Sequence, residues 1–190
     1  IIFTENKPLK IIIDTLSEQN ISISRTDWNS RETSWDFKSN SLILCKNEKI
    51  EEAYKIWKSS MKSQFCTLHR NEEELNKIFI EIYGLQDELT PEVELKDITI
   101  LRDETFINDR GELEFKPDEV MKQFISYSVG CIFGRYSPDK EGLILANQGE
   151  TVENYIKIIN QAPSFNPDED NILPILSDEY FENDIVSLFN

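Results

Sequence analysis

IEEAYKIWKSSMKSQFCTL, residues 50–68, decides the fold class. Ile50, Ala53, Tyr54, Trp57, Met61, Phe65 and Leu68 recur at spacings of three and four, so one stripe of a helix is apolar. Lys55, Lys58 and Lys62 follow the same spacing on another face. A strand would alternate every second residue, and this stretch does not. Further along, Asn71 with Glu74 three residues on has the pattern of a helix start. Leu75, Ile78, Phe79 and Ile82 give that second helix a buried face, and Gly84 stops it. In the other direction, Pro8 opens a helix reaching about Gln19, with Leu9, Ile12, Ile13 and Leu16 as its apolar residues.

Beyond residue 85 the pattern shortens. VELKDITIL (93–101) alternates apolar with polar and predicts a short strand. Asn108-Asp109-Arg110-Gly111 marks a turn between two brief β runs. Pro117 opens a helix that Gly134 ends; so little of it is polar that it is expected to be the most buried one. Gly130 and Gly134 are spaced to admit close packing. Residues 141–147 predict another strand, 152–159 a short helix, and 161–171 a polar loop. The expected fold is mainly α with minor β (α+β), an irregular helical segment with a few short strands. It divides into a helical part, 1–84, carrying an aromatic joint at 24–37, and a mixed, acidic part, 85–190, together one compact unit. The chain begins without methionine, and 178–190 reads as a helix with no stop signal. It is expected to be a piece of a longer protein.

The net charge of −16 is unevenly spread. Residues 1–70 hold 11 Lys and Arg against 9 Asp and Glu, whereas 71–190 hold 9 against 27. A phosphate backbone is repelled by the second part and tolerated only by the first. Three widely spaced cysteines, Cys45, Cys66 and Cys131, and one histidine, His69, do not make a metal site. They read as buried or half-buried reduced thiols of a cytoplasmic protein. His69 reads as a polar residue near a helix end. No apolar run reaches the ~18 residues that span a bilayer.

Catalytic motifs are not found. The six glycines never stand as G-x-G, and none of the seven prolines are adjacent. Glu94-Leu95-Lys96 and Glu114-Phe115-Lys116 precede every Pro-Asp, the reverse of the order a magnesium nuclease needs. Asp168, Glu169 and Asp170 form an acidic loop without the turn glycine of a calcium site. No catalytic, cofactor-binding or metal residue is assigned.

DWNSRETSWDF (27–37), NEEELNKIFIEIYGLQDELTPEVELKDITIL (71–101), ISYSVGCIFGRYSPDKEGLILAN (125–147), DNILPIL (170–176) and DEYFENDIV (178–186) stand in this order. Together they closely resemble the large adenine-specific DNA methyltransferases of type II (type IIG-like) restriction-modification and BREX-type phage-defence systems. The resemblance covers nearly the whole chain. It implies a parent enzyme that moves a methyl group from S-adenosylmethionine to adenine N6 in double-stranded DNA. Since the family's cofactor loop and Asn/Asp-Pro-Pro-aromatic motif are missing, it implies a segment following the catalytic core and leading to the target-recognition region. Such a segment would hold no cofactor and be inactive alone.

In that setting Trp28, Trp35 and Phe37 are expected to anchor the joint by packing on helices, with Asp27, Ser34 and Asp36 meeting turn amides. Stacking of Trp28 or Trp35 on a flipped base is the functional alternative. Lys55, Lys58 and Lys62 are the expected contacts to the DNA backbone, against a solvated face paired to acids such as Glu51. Two rival readings are an acidic module that docks another defence-system subunit and a mimic of DNA.

Overall fold

A computed structural model describes residues 7–169 and 171–175, so the expected C-terminal helix at 178–190 lies outside the described residues. The chain packs as two compact units, Ile1–Gln123 and Phe124–Asn190. The elements are mainly helical with one two-stranded sheet, as the sequence pattern implies.

In the first unit, α1 (Lys7–Asn29) has Pro8 in its opening turn. It runs ten residues past the expected end at Gln19. Its second half contains no glycine or proline, and Thr26 turns its hydroxyl back onto the Ser22 carbonyl at 2.9 Å. The start of the aromatic stretch is therefore helix. Residues 30–37 are then a run of turns, closed by Ser34 N–H to the Arg31 carbonyl and Phe37 N–H to the Ser34 carbonyl. A short α2 (Ser41–Leu44) follows, capped by Asn40, whose Oδ1 accepts from the Leu42 N–H at 3.0 Å.

α3 (Ile50–Tyr83) is one helix of 34 residues where two were expected. Nothing between Leu68 and Glu74 breaks the backbone, and Asn71 is not a cap. It lies buried against α1, and its Nδ2 donates to Gln19 Oε1 and Asn20 Oδ1, each at 2.9 Å. Gly84 does end the helix, at φ 68°, with the Leu85 N–H returning to the Ile80 carbonyl. The expected stripe is the packed one: Ala53, Trp57, Phe65 and Leu68 are buried, although Ile50 at its start is exposed. His69 sits mid-helix and not near an end. Its Nε2 lies 2.7 Å from the Val93 carbonyl while Glu73 accepts the Val93 N–H, which lays residues 91–93 along α3.

That attachment overrides the strand expected at 93–101. The stretch forms a single 3-10 turn, Leu95–Asp97, and then buries Ile98, Ile100 and Leu101 without pairing to a strand among the described residues. The hairpin follows: β1 (Thr105–Ile107) pairs antiparallel with β2 (Leu113–Phe115), Phe106 opposite Glu114. Its turn is held by Asn108 Oδ1, which accepts from the Arg110 and Glu112 N–H groups, and Gly111 supplies the positive φ. Phe115 meets the edge of Trp57, ring centroids 5.8 Å apart at 83°.

α4 (Pro117–Ile132) begins in the first unit and continues into the second. It buries Val120, Tyr127, Cys131 and Ile132 but exposes Ile125, so it is less enclosed than its composition suggests. In the second unit Gly130 lies under Tyr136; a Cβ there would stand 2.5 Å from that ring. Tyr136 in turn stacks on Tyr127 at 5.3 Å. The expected strand at 141–147 is irregular chain, held by Ile144 and Leu145 N–H bonds to the Arg135 and Gly134 carbonyls. α5 (Val152–Ile159) has the expected bounds, with Thr151 and Asn154 capping it reciprocally. Tyr155 and Ile159 pack with Ile144 as this unit's core. Asp139 accepts both the N–H and the hydroxyl of Ser164 at 2.7 Å, tying the 161–169 loop down.

Candidate nucleic-acid interface and charged joint

The three lysines on α3 do not form one free cationic stripe. Lys55 is bound by Glu51 and Glu52, each at 2.8 Å. Those bonds, Glu51's foremost, hold its ammonium above the ordinary lysine range. Lys58 lies over the Phe115 ring, 5.4 Å from its centroid, so its stem follows the hairpin. Lys62 is exposed and has no ion pair among the described residues. Lys58 and Lys62 are thus the cations of this face with charge to offer an anion.

Among the aromatic residues expected to anchor the joint, Phe37 is buried at 7% exposure, beside buried Ser34. Trp28 is 64% exposed and Trp35 fully so, at 103%. Neither tryptophan packs on the helices of this segment, which corrects that expectation for both. For Trp35 the turns at 30–37 explain why: closely spaced residues point different ways, so Ser34 and Phe37 turn inward and Trp35 outward.

The stretch is instead held by charge. Asp27, in the last two turns of α1, and Arg31, four residues later, face Asp103 and Glu104, which lie just before β1. Arg31 Nη2 reaches Asp27 at 3.4 Å and Glu104 at 3.3 Å, while Nη1 is bonded to Asp103. Glu104 is 3% exposed and also accepts from Gln123 Nε2 at 2.6 Å. The Lys116 N–H donates to the Glu104 carbonyl at 2.7 Å, closing the hairpin base. Burial pulls the Arg31 guanidinium down, but Glu104, Asp27 and Asp103 together leave it raised. Burial also pushes the Asp27 carboxyl up, offset in part by the Leu101 N–H and Arg31.

That N–H bond falls at an unusual place. Leu101 stands at φ 56°, a left-handed conformation that a branched side chain adopts at a cost of about 1–2 kcal/mol. Asp27 Oδ1 accepts its N–H at 3.0 Å and Thr105 Oγ1 donates to its carbonyl at 2.7 Å, so both polar groups of the strained residue are held by side chains. The Asp27–Arg31 spacing of four was the signal available in the sequence. Asp103, Glu104 and Gln123 become partners only through the fold.

Nearby, a cleft of about 290 Å³ opens between Phe65, Ile98, Ile100, Phe106 and Leu113, with Arg102 also in its lining. Among the described residues no group of His, Cys, Asp or Glu is placed to hold a metal ion. Asp168 accepts the Ile172 N–H at 3.3 Å, while Asp170 lies outside the described residues. Cys131 is buried and Cys45 half-buried, but Cys66 is exposed, contrary to expectation. No described helix is long and apolar enough to cross a membrane.

No family model matches the chain. It is similar to "Adenine-specific methyltransferase PglX" of Lacticaseibacillus casei (strain Zhang), with 40% identity over 174 residues. It is also similar to "Adenine-specific methyltransferase BrxX" of Escherichia coli O9:H4 (strain HS), with 34% identity over 180 residues. These matches cover 89% and 92% of this chain, but the chain spans only 13% and 15% of the relatives' lengths.

Proposed function

We propose that this chain is a non-catalytic joint within an adenine-specific DNA methyltransferase of the BREX phage-defence type. The observation that carries the reading is the similarity, over about nine tenths of the chain, to two proteins named as adenine-specific methyltransferases. The parent enzyme transfers the methyl group of S-adenosylmethionine to adenine N6 in double-stranded DNA. The described glycines of this chain do not fit the cofactor. The Cβ positions of Gly130 and Gly134 are already filled by Tyr136 and Leu145, and Gly84, Gly111, Gly142 and Gly149 are isolated positive-φ turns. None of them forms a phosphate or nucleoside cradle. The cofactor is therefore proposed to bind elsewhere in the parent.

What this chain contributes is geometry. The Asp27–Arg31–Glu104 cluster fixes the end of α1 against the base of the hairpin. A connector between catalytic and target-recognition regions must keep such an angle while DNA is engaged. Lys58 and Lys62 are the proposed backbone contacts; they add affinity without reading sequence.

The test uses the full-length parent with radiolabelled S-adenosylmethionine and cognate DNA. Adenine N6 methylation is expected, and Arg31→Ala should lower it at least tenfold while cofactor affinity stays within twofold. Absence of methylation by the wild type overturns the enzyme assignment. Loss of cofactor binding in the variant, or full activity, overturns the joint.

A further inference from the structure

Trp35 and Trp28 are among the largest apolar side chains in solvent. Ile21, also exposed, lies two helical turns before Trp28 and shares its face of α1, a helix that fully buries none of its 23 residues. Tryptophans left in water at this density mark a contact surface. The charge around them selects the kind of partner. Arg31 is already occupied by Asp27, Asp103 and Glu104, while Glu32 and Asp36 flank Trp35 with no ion pair among the described residues. Exposed Arg25, between Ile21 and Trp28 on α1, adds one positive charge, yet a phosphate-bearing strand meets repulsion from Glu32 and Asp36 at Trp35. The relatives supply the alternative: more than four fifths of each lies outside the length this chain matches.

We propose that Trp35 and the Ile21–Trp28 face of α1 dock on the remainder of the same polypeptide, against an apolar surface rimmed by Lys or Arg that faces Glu32 and Asp36. This rests on the parent-chain reading above. The aromatic joint then works outward: charge holds it to this segment, and the tryptophans hold the segment to the rest of the enzyme.

Hydroxyl-radical footprinting of the full-length wild-type parent, resolved by peptide mass spectrometry, tests this without altering either tryptophan. Oxidation of Trp28 and Trp35 is expected to be at least tenfold slower in the native protein than in urea, with or without DNA. In the Glu32→Lys, Asp36→Lys double variant the rate at Trp35 should rise at least threefold. Native rates equal to those in urea overturn the docking. Shielding that appears only when duplex is added also overturns it, in favour of a nucleic-acid contact. Shielding that survives the charge reversal overturns the basic rim. A parent that shields both tryptophans yet transfers no methyl group separates failure of the enzyme reading from failure of this one.

Discussion

Arg31 satisfies three carboxylates at once, one of which, on Glu104, is almost wholly enclosed. Removing the cation strands that charge, and breaking a buried pair from one side costs about 3–5 kcal/mol. Arg31→Ala should therefore lower the denaturant midpoint by that equivalent at pH 7. Arg31→Lys should restore only part, because an ammonium lacks the planar fork that serves divergent partners. Asp27 carries a pH signature. Its carboxyl is held above its ordinary 3.8 by burial, so the folded state binds that proton more tightly than the unfolded chain does. Its contribution is most favourable below 3.8 and declines as pH rises through the folded value. The stability of wild type minus that of Asp27→Asn should fall across that window; a difference that rises with pH would mean the Arg31 bond outweighs burial. Trp35→Ala, by contrast, should change the stability of this chain by no more than ~0.5 kcal/mol, as a surface substitution does. Composition singled out the stretch and its buried Phe37, but not which way the two tryptophans face. Periodicity has no hold on a run of turns, where one residue's shift decides whether Phe37 or Trp35 faces inward.

At the level of elements, helices that carry their own stop signals were legible. Gly84 ends α3 as read, and α5 has its expected bounds because Thr151 and Asn154 cap it locally. Elements decided by distant partners were not. Asn71 resembles a cap in sequence, and only the neighbouring amides of α1 make it an interior residue. The alternation at 93–101 resembles a strand, but alternating burial needs only a core beneath it, and a ladder needs a second strand beside it. Two glycines test these local devices. Gly84→Ala meets no neighbour within 4 Å, so its cost should be that of the backbone alone, about 1 kcal/mol. Gly130→Ala forces a methyl group into the Tyr136 ring, and overpacking of that kind costs ~1–3 kcal/mol. Thermal unfolding of both variants checks the order: Gly130→Ala should be the more damaging.

Across the whole molecule, an excess of sixteen negative charges must coexist with the DNA-handling role proposed above. The face on α3 allows a direct check. In the parent enzyme, Lys58→Ala with Lys62→Ala should weaken cognate and random duplex about equally and reduce the slope of log K against log salt by roughly 0.9 per lost contact. Lys55→Ala should leave the slope unchanged, since Glu51 and Glu52 already neutralise that ammonium. A wild-type slope in the double variant removes α3 from the DNA surface. The continuity of α3 has a mechanical side as well. At a rise of about 1.5 Å per residue, its 34 residues make a strut roughly 51 Å long. A tilt of two degrees at one end then displaces the other by roughly 2 Å. Two shorter helices meeting at Asn71 would have absorbed that motion in a hinge. An unbroken strut transmits it, so a small rotation at its Ile50 end arrives at Gly84 as a stroke wider than the rise of one helical residue.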